Sequence, residues 1–340
     1  MKNIFHREDV VRIYHRHRRL FSWIAVVLSY SLVAAIIASL IFILTNTGTN
    51  AWAGVDGERF HYMAEVILSG LTPYVDYIDP KPPLLYFTIA GIDLLTPPGS
   101  VDIVVVSLLN ILSALLIRKI GRDEYGEIAG YSAGMLFLVA SVLVQGFFLF
   151  SEQFVVVLLL LGFILARDHH YAYAGLLVGL ACGYKQYAAL AFIPFLYLMY
   201  SRKEGPWYLL VLPAAAVITS IFGLFYIFYG QAATLNALVW TFGIGPTYLQ
   251  GATAGVPDYH ATSIIGLAIN VLASVVMVFP TLLFALASIA RRGFRTREER
   301  TLGLLVLVFL STILIRQYLH YWILALPFLA LLACREFSDK

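Results

Sequence analysis

A lysine flanked by prolines is the most unusual chemical feature of the sequence. In the stretch DPKPPLLYF (residues 79–87), Lys81 stands directly before an apolar run from Pro82 to Leu95. As an α-helix that run would be about 21 Å long, too short for a bilayer hydrocarbon core of about 30 Å. A lysine held at the start of such a helix is a compact positive charge that suits an anion such as phosphate. The stretch therefore predicts a short re-entrant or interfacial helix that presents a cation.

Three further cations lie, like Lys81, beside a polar cluster and away from the basic segments of the chain: Arg59, Lys185 and Arg316. Cations there can bind anions, and neighbouring carboxylates can accept protons. Snorkelling of the long side chain, or pairing with nearby acids, explains Arg59 equally well. It explains Lys81 and Lys185 less well, because apolar sequence flanks both of them.

The composition indicates the class of protein that positions these residues. Of the 340 residues, 60% are hydrophobic and only 13% are charged, and the mean hydropathy is +0.82. Soluble domains carry about 25% charged residues, so the chain is predicted to be a polytopic membrane protein. Its two cysteines, Cys182 and Cys334, lie in apolar runs and form no metal-binding or disulfide pattern. The first apolar run follows a basic segment and is long enough to remain as a helix, unlike a signal peptide.

The apolar runs predict an all-α bundle of about ten transmembrane helices, with residues 1–340 as a single domain. The expected spans are 20–44, 101–117, 127–149, 153–167, 172–184, 187–200, 207–229, 262–290, 301–315 and 321–334. Residues 46–100 form the longest segment between spans, and we expect interfacial helices there. No soluble C-terminal domain is expected after the last span.

The distribution of lysine and arginine predicts the orientation. With the N-terminus in the cytoplasm and ten spans, all but four of the 23 lysines and arginines fall on the inner side. If residues 82–95 also crossed, every later loop would invert and the basic stretch RKIGR (118–122) would face outward. We therefore expect a multi-pass protein of the cell membrane, with cytoplasmic termini and the four cations named above on the outer face.

The first outer loop contains a second predicted helix, VDGERFHYMAEVILSG (55–70). Its apolar residues follow the spacing of one helix face, namely Phe60, Met63, Ala64 and Ile67. Such a helix is expected to lie at the membrane interface. Asp56 stands at the expected N-cap and Gly70 at the expected C-cap. The sequence does not decide whether Asp56 only caps the helix or is also a catalytic residue.

Together, these two stretches resemble the first outer loop of membrane glycosyltransferases of the GT-C superfamily, in particular protein O-mannosyltransferases and bacterial lipid A aminoarabinose transferases. In that family an Asp opens an interfacial helix, with an aromatic residue four positions on and Ala four after that, matched by Asp56, Phe60 and Ala64. A KPP or KP motif then precedes an aromatic-rich short helix, matched by Lys81, Pro82, Pro83 and Tyr86. Gly57 departs from the family, which has a second acid there, and whether Glu58 substitutes for it stays open.

Weaker resemblances follow the order of the family over most of the chain. FSEQF (150–154) is similar to the acid that the family often has at the outer end of a span. GLACGYKQY (179–187) resembles a Gly-rich stretch that leads to a lysine, and HYWILALP (320–327) resembles the final helix.

The resemblance implies an inverting enzyme that transfers a sugar from a polyprenyl-phosphate carrier to an acceptor hydroxyl. Asp56 would be the general base, and Lys81 would stabilise the leaving phosphate. The short helix after Lys81 would line a groove for the lipid tail, with Glu58 and Tyr86 binding substrate. The implied partners are the lipid-linked donor, membrane lipids and an unidentified acceptor (lipid, glycan or protein), and a partner subunit stays open. No cofactor is implied, and dependence on a divalent metal stays open.

Five further candidates have local explanations of comparable weight. Lys185 and Arg316 would be additional contacts to the donor phosphate, although Lys185 is nearly as readily the tip of a helical hairpin. Glu152 opens a predicted helix, where it either complements the helix dipole or binds substrate. His320 and Tyr321 lie where the chain turns between the last two spans. They would bind phosphate or sugar, or Tyr321 would be an aromatic anchor at the interface.

Two other classes of function remain after a search for further motifs. The sequence lacks a Gly-rich nucleotide loop, HExxH and metal-spaced Cys/His sets, and nothing indicates a nucleic-acid partner. A flippase or transporter of lipid-linked substrates would also use intramembrane ions, although no inverted repeat is evident. A non-catalytic lipid-binding subunit is the third hypothesis, because Gly57 replaces an expected acid.

Overall fold

The structure is a computed structural model that describes residues 7–46, 55–243, 264–315 and 318–338. Within these ranges the chain is helical, apart from turns and one isolated β-bridge between Pro73 and Tyr77. The α-helices are α1 (Arg7–Asn46), α2 (Val55–Leu68), α3 (Pro83–Asp93), α4 (Asp102–Tyr125), α5 (Glu127–Leu143), α6 (Ser151–Arg167), α7 (Tyr171–Tyr184), α8 (Phe192–Arg202), α9 (Tyr208–Leu238), α10 (Ile264–Arg292), α11 (Arg297–Ile315) and α12 (Trp322–Cys334). Shorter helical turns cover Gln186–Ala191, Val239–Gly243, Leu319–Tyr321 and Arg335–Phe337.

The described helices support a polytopic helical membrane protein. Five segments within them are long and apolar enough to cross a bilayer, namely Leu20–Leu44, Asp102–Tyr125, Tyr208–Gly243, Ala268–Arg292 and Leu319–Phe337. The other apolar runs predicted as spans are helical too, but they are shorter or begin with charged residues. Five of the ten predicted spans therefore meet the length requirement for a membrane helix.

The centre of the bundle is α12, which is buried along its whole length. It packs against α4, α5, α6, α10 and α11. A helix that is apolar on every side is stable only when other helices or lipid surround it. The central position of α12 fixes the turn Leu319–Tyr321 at its start, and that turn carries two of the candidate site residues.

Two glycines of α7 allow it to pack closely along α9. A Cβ atom at Gly179 would lie 2.7 Å from the carbonyl oxygen of Ala214, and one at Gly175 would overlap the backbone of Leu210. Small residues four positions apart let membrane helices approach in this way. The close packing fixes the end of α7, which Lys185 directly follows.

Both helices predicted between residues 55 and 95 are confirmed. The cap predicted at Gly70 forms: the Leu71 N–H donates to the Val66 carbonyl at 3.0 Å, and Gly70 itself has a φ of 78°. The short helix α3 begins at Pro83, since proline is favoured in the first turn of a helix. Its 11 residues are too few to span a bilayer, as predicted.

One detail of the prediction for α2 was wrong. The helix begins at Val55, so Asp56 lies in its first turn and not at the N-cap. The apolar face of α2 packs against α3, and Phe60, Met63 and Ala64 are fully buried. This packing brings the start of α2 close to the segment that precedes α3.

Candidate functional site: two lysine–carboxylate pairs

Lys81 and Asp56 form the first ion pair of the site. The Nζ atom of Lys81 lies 3.3 Å from Oδ2 of Asp56, and the two side chains are 13% and 22% exposed. Oδ1 of Asp79 is 4.0 Å from the same nitrogen. The centroid of the Phe60 ring is 5.4 Å away. The ammonium group therefore has one carboxylate beside it, a second within reach and an aromatic face behind it.

Buried tyrosines hold the segment that carries Lys81. The Tyr86 hydroxyl donates to the Asp79 carboxylate, which also accepts the Lys81 N–H at 3.3 Å. The Tyr74 hydroxyl donates to the Lys81 carbonyl oxygen at 2.5 Å. Both tyrosine side chains are fully buried. The backbone of Lys81 is thus fixed from two sides, while its side chain remains partly exposed.

Lys185 and Glu152 form a second ion pair, and this one is buried. The Lys185 ammonium donates to Oε1 of Glu152, and the two side chains are 2% and 1% exposed. The Ser151 hydroxyl donates to Oε2 of Glu152 at 3.0 Å. The cap of α6 comes from Gln153, whose side-chain oxygen accepts the Phe150 N–H at 3.1 Å. Glu152 therefore does not cap the helix with its carboxylate.

His320 and Tyr321 complete the surroundings of the buried pair. Nε2 of His320 lies 3.6 Å from Oε1 of Glu152. The His320 ring stacks on Phe150, with 4.1 Å between the ring centroids. Nζ of Lys185 lies 4.0 Å from the centroid of the Tyr321 ring, a distance typical of a cation–π contact. Both residues of the predicted outer turn thus contact the Lys185–Glu152 pair.

The two ion pairs belong to one electrostatic cluster. Burial of the Asp56 carboxyl opposes its ionisation, but neighbouring cations hold its pKa well below its usual value. The largest of these contributions comes from Lys81, and Lys185 adds to it. Asp56 is therefore an ionised carboxylate whose affinity for a proton is reduced by the positive charges around it.

The remaining predicted site residues have different placements. Tyr86 contacts the cluster indirectly, through Asp79. Glu58 is exposed, and residues two positions apart on a helix, such as Asp56 and Glu58, do not share a face. Arg316 lies outside the described residues. The predicted residues that the structure brings together are Asp56, Lys81, Glu152, Lys185, His320 and Tyr321.

Sequence reasoning missed the residues that hold Lys81 in place. Asp79 stands two positions before Lys81 in the same proline-rich stretch, so an acid next to a functional cation was the available signal. Tyr74 gave no such signal, because its hydroxyl reaches the Lys81 carbonyl only after the loop has folded.

The sequence analysis also did not identify a histidine that bridges two carboxylates next to the site. His61 of α2 lies between Asp93 and Asp102, with Nδ1–Oδ2 and Nε2–Oδ2 distances of 2.8 and 2.9 Å. The hydrogen bond to Asp102, assisted by that to Asp93, raises the pKa of His61 to about 9 against the opposing effect of burial. Because both ring nitrogens face carboxylates, both donate, and the charged ring ties α2 to α3 and α4.

Within the described ranges, no group of three or more His, Cys, Asp and Glu side chains could hold a metal ion. The side chains that do converge there are carboxylates, ammonium groups, an imidazole and aromatic rings. Such groups can transfer protons and bind anions.

In the described part of the chain, the fold is helical, with apolar helices compatible with a membrane, and the site consists of paired charges from several helix ends. No protein-family model matches the chain, and no curated protein is significantly similar to it in sequence. The side chains of the cluster are therefore the basis for assigning a function.

Proposed function

We propose that the protein is an integral-membrane glycosyltransferase of the GT-C type. It transfers a sugar from a polyprenyl-phosphate donor to an acceptor hydroxyl, with inversion at the anomeric carbon. The observation that carries the proposal is the convergence of the Lys81–Asp56 pair with the Lys185–Glu152 pair. A carboxylate near two ammonium groups supplies a proton acceptor together with the counter-charge for a phosphate.

In this proposal the chain crosses the cell membrane about ten times, with both termini in the cytoplasm. The five long apolar helices are compatible with insertion, and the bilayer thins locally around the shorter ones. The charged cluster then faces the outside, at the level where the phosphate of a lipid lies while its tail stays in the bilayer. Such a location suits a donor that is delivered by the membrane.

The reaction begins when the acceptor oxygen attacks the anomeric carbon and its proton passes to the Asp56 carboxylate. A glycosidic C–O bond forms, and the bond between the anomeric carbon and the phosphate oxygen breaks. The electron pair of that bond stays on the phosphate, so polyprenyl phosphate leaves with an additional negative charge. Lys81 stabilises this charge, and the proton on Asp56 passes to solvent.

The contact between Lys81 and Asp56 gives donor binding a direct effect on the base. Before the donor binds, the Lys81 ammonium lies 3.3 Å from the carboxylate and contributes to the low pKa of Asp56. A phosphate bound to Lys81 would neutralise part of that positive charge, so the pKa of Asp56 would rise toward its usual value. The carboxylate thus becomes a stronger base when the donor is in place.

The buried pair supports the proposal through its position. Lys185 contributes to the low pKa of Asp56, and contacts with Glu152 and Tyr321 fix its ammonium group. We propose that Lys185 is a second, fixed positive charge for the phosphate and that Glu152 holds Lys185 in position. The remaining assignments are a phosphate contact for Arg316 and substrate contacts for Glu58, Tyr86, His320 and Tyr321.

Membranes from cells that produce the protein provide the test, because they supply candidate acceptors. A polyprenyl-phosphate hexose labelled in the sugar is added, and the label is followed from the lipid phosphate into products. We expect transfer by the wild type and very little by Asp56→Asn. The amount of polyprenyl phosphate released should equal the amount of sugar transferred.

Two other results would contradict the proposed enzyme. Movement of the intact donor across the bilayer of proteoliposomes, with the sugar–phosphate bond uncleaved, would identify a flippase. Donor binding with neither transfer nor transport would identify a lipid-binding subunit.

A further inference from the structure

Two buried polar atoms near the charged cluster have no hydrogen-bond partner in the part of the chain that the structure describes. They are the side-chain carbonyl oxygen Oε1 of Gln186 and the hydroxyl oxygen Oγ1 of Thr241. Thr241 is only 3% exposed. Nε2 of Gln186 donates to the main-chain carbonyl of Thr241 at 3.0 Å, so both atoms belong to one contact. Buried polar groups are almost always hydrogen-bonded, so two unpartnered atoms in one contact require an explanation.

Thr241 lies on an irregular segment at the end of α9. The helix breaks at Gly230, where φ is 78°, and continues into a π-helical turn, Val239–Gly243. Such turns interrupt the regular hydrogen bonding of a helix and are frequent at functional sites. On the same segment, the Thr234 hydroxyl donates to the Gly230 carbonyl at 2.9 Å. One threonine is thus satisfied within its helix and the other is not.

The end of α9 and the π-helical turn that follows it are connected to the two lysine-bearing segments. From the last turn of α9, Nδ2 of Asn236 donates to the Tyr74 carbonyl at 3.0 Å, and the Tyr74 hydroxyl donates to the Lys81 carbonyl. On the other side, the turn contacts Gln186, the residue after Lys185. A group attached to a phosphate between the two lysines would lie near this turn.

We propose that Gln186 and Thr241 form a subsite for a hydroxyl of the sugar on the lipid-phosphate donor, an inference that rests on the function proposed above. The bond to the Thr241 carbonyl fixes the orientation of the Gln186 amide, so Oε1 is left as an acceptor. The Thr241 hydroxyl can donate or accept. A sugar hydroxyl satisfies both atoms, because it donates to Gln186 and accepts from Thr241.

Other ligands fit this pair less well. A phosphate oxygen and the Gln186 Oε1 atom are both acceptors, so they repel each other. A lipid tail would leave both protein atoms unpaired, which is unfavourable for buried groups. A buried water molecule is the competing occupant, since it can also donate and accept. If the occupant is a sugar, removing these atoms should lower the rate of transfer, whereas a bound water predicts no change in that rate.

The test compares Thr241→Val, which removes the hydroxyl at nearly constant shape, with Thr241→Ser, which retains it. Thr234→Val is the matched control, because the Thr234 hydroxyl is bonded within its own helix. The full-length variants are assayed for transfer from polyprenyl-phosphate mannose, glucose and galactose, and for binding of polyprenyl phosphate without a sugar. We expect Thr241→Val to lower kcat/KM about tenfold for the transferred hexose. Binding of polyprenyl phosphate should not change, and Thr241→Ser and Thr234→Val should transfer like the wild type.

Thermal unfolding separates a substrate contact from a structural one. Because the hydroxyl is unpartnered before the donor binds, Thr241→Val should unfold at the same temperature as the wild type or higher. A lower unfolding temperature combined with unchanged kcat/KM would show that the pair binds a structural water, and the subsite would be wrong. Gln186→Leu gives an independent measurement, with the same loss of kcat/KM expected.

The proposed function and the proposed subsite fail in different ways. If the wild type transfers none of the hexoses and does not bind polyprenyl phosphate, the proposed function is wrong and the subsite falls with it. If the wild type transfers a hexose and both Thr241→Val and Gln186→Leu transfer it equally well, only the subsite is wrong.

Discussion

The two lysines of the site are paired with carboxylates in different environments. The side chains of Lys81 and Asp56 are 13% and 22% exposed, whereas those of Lys185 and Glu152 are 2% and 1% exposed. A pair that water can reach exchanges partners at a lower cost than a fully buried pair, because water can replace a lost partner. A buried pair resists separation, because each charge would be left without a partner or solvent. The first pair therefore suits binding and release of an anion, and the second suits a fixed charge.

The two lysines also differ in which of their groups is fixed by hydrogen bonds and contacts, the backbone in Lys81 and the ammonium group in Lys185. Tyr74 and Asp79 bind the backbone of Lys81, at its carbonyl oxygen and its N–H respectively. For Lys185, Glu152 and Tyr321 contact the ammonium group itself. A fixed backbone with an adjustable side chain is what a residue needs when it must change partners.

Removing the buried lysine should destabilise the protein more than removing a lysine that water can reach. Lys185→Met is expected to destabilise the protein by about 3–5 kcal/mol, because the buried Glu152 carboxylate loses its ammonium partner and keeps only Ser151 and His320 beside it. Thermal unfolding in detergent measures the loss. The double variant Lys185→Met/Glu152→Leu should regain most of the stability, since it leaves no unpaired charge.

An exposed lysine pair provides the control for this comparison. Lys119 is 39% exposed and pairs with Asp123 four residues along α4, so Lys119→Met should cost less than about 1 kcal/mol. Equal unfolding temperatures for Lys185→Met and Lys119→Met would show that burial does not distinguish the two kinds of pair.

Asp56→Asn should affect catalysis and leave stability almost unchanged. The amide keeps the shape of the side chain but is not a base, so we expect kcat to fall by about a hundredfold or more. The unfolding temperature should stay close to that of the wild type, because Lys81 keeps the Asp79 carboxylate within reach and its side chain has access to water. Glu65→Gln on the exposed face of α2 is the control and should be fully active. An active Asp56→Asn beside an unstable Asp56→Ala would reduce Asp56 to a structural role.

The histidine bridge predicts a smaller effect that depends on pH. The pKa of folded His61 is about 9, above its ordinary value of 6.5, so its charge stabilises the fold. That contribution is complete below pH 6.5 and is lost as the pH rises through about 9. The difference in unfolding temperature between the wild type and His61→Gln should therefore shrink by a few degrees over this range.

A second histidine–carboxylate pair serves as the control for this substitution. His169 is 61% exposed and lies 2.7 Å from Glu204. Because water screens this pair, His169→Gln should change the unfolding temperature very little. A constant difference between the wild type and His61→Gln at every pH would mean that His61 is not charged in the folded protein.

The local parts of the site could be predicted from the sequence because they depend on neighbouring residues. Apolar spacing and Gly70 predicted α2, and the prolines after Lys81 predicted the short helix α3. Lys81 and Asp56 were themselves identified from their positions next to these helices. The apolar runs predicted helices correctly. Whether a short helix crosses the bilayer depends on its tilt and on its packing against other helices, and the amino-acid sequence of the run does not specify either of these.

The pairings could not be predicted, because they join residues that are distant in the chain. Lys185 and Glu152 are 33 residues apart, and His61 contacts acids 32 and 41 residues away. Each of these residues also has an adequate local explanation, such as a helix start or a hairpin tip. Only the packing of α2, α3, α4, α6 and α7 selects one partner among many.

Exchange of Lys81 between Asp56 and the donor phosphate is the central claim, and donor affinity and turnover of Lys81→Gln test it most directly. Negative charge grows on the phosphate as its bond to the sugar breaks, so kcat should fall together with affinity, each by about tenfold or more. Lys81→Arg should restore part of both, because it keeps the charge in a longer, planar group. Lys119→Gln, which removes an exposed lysine outside the site, should behave like the wild type. Wild-type affinity and wild-type turnover in Lys81→Gln would contradict the exchange and the phosphate site built on it.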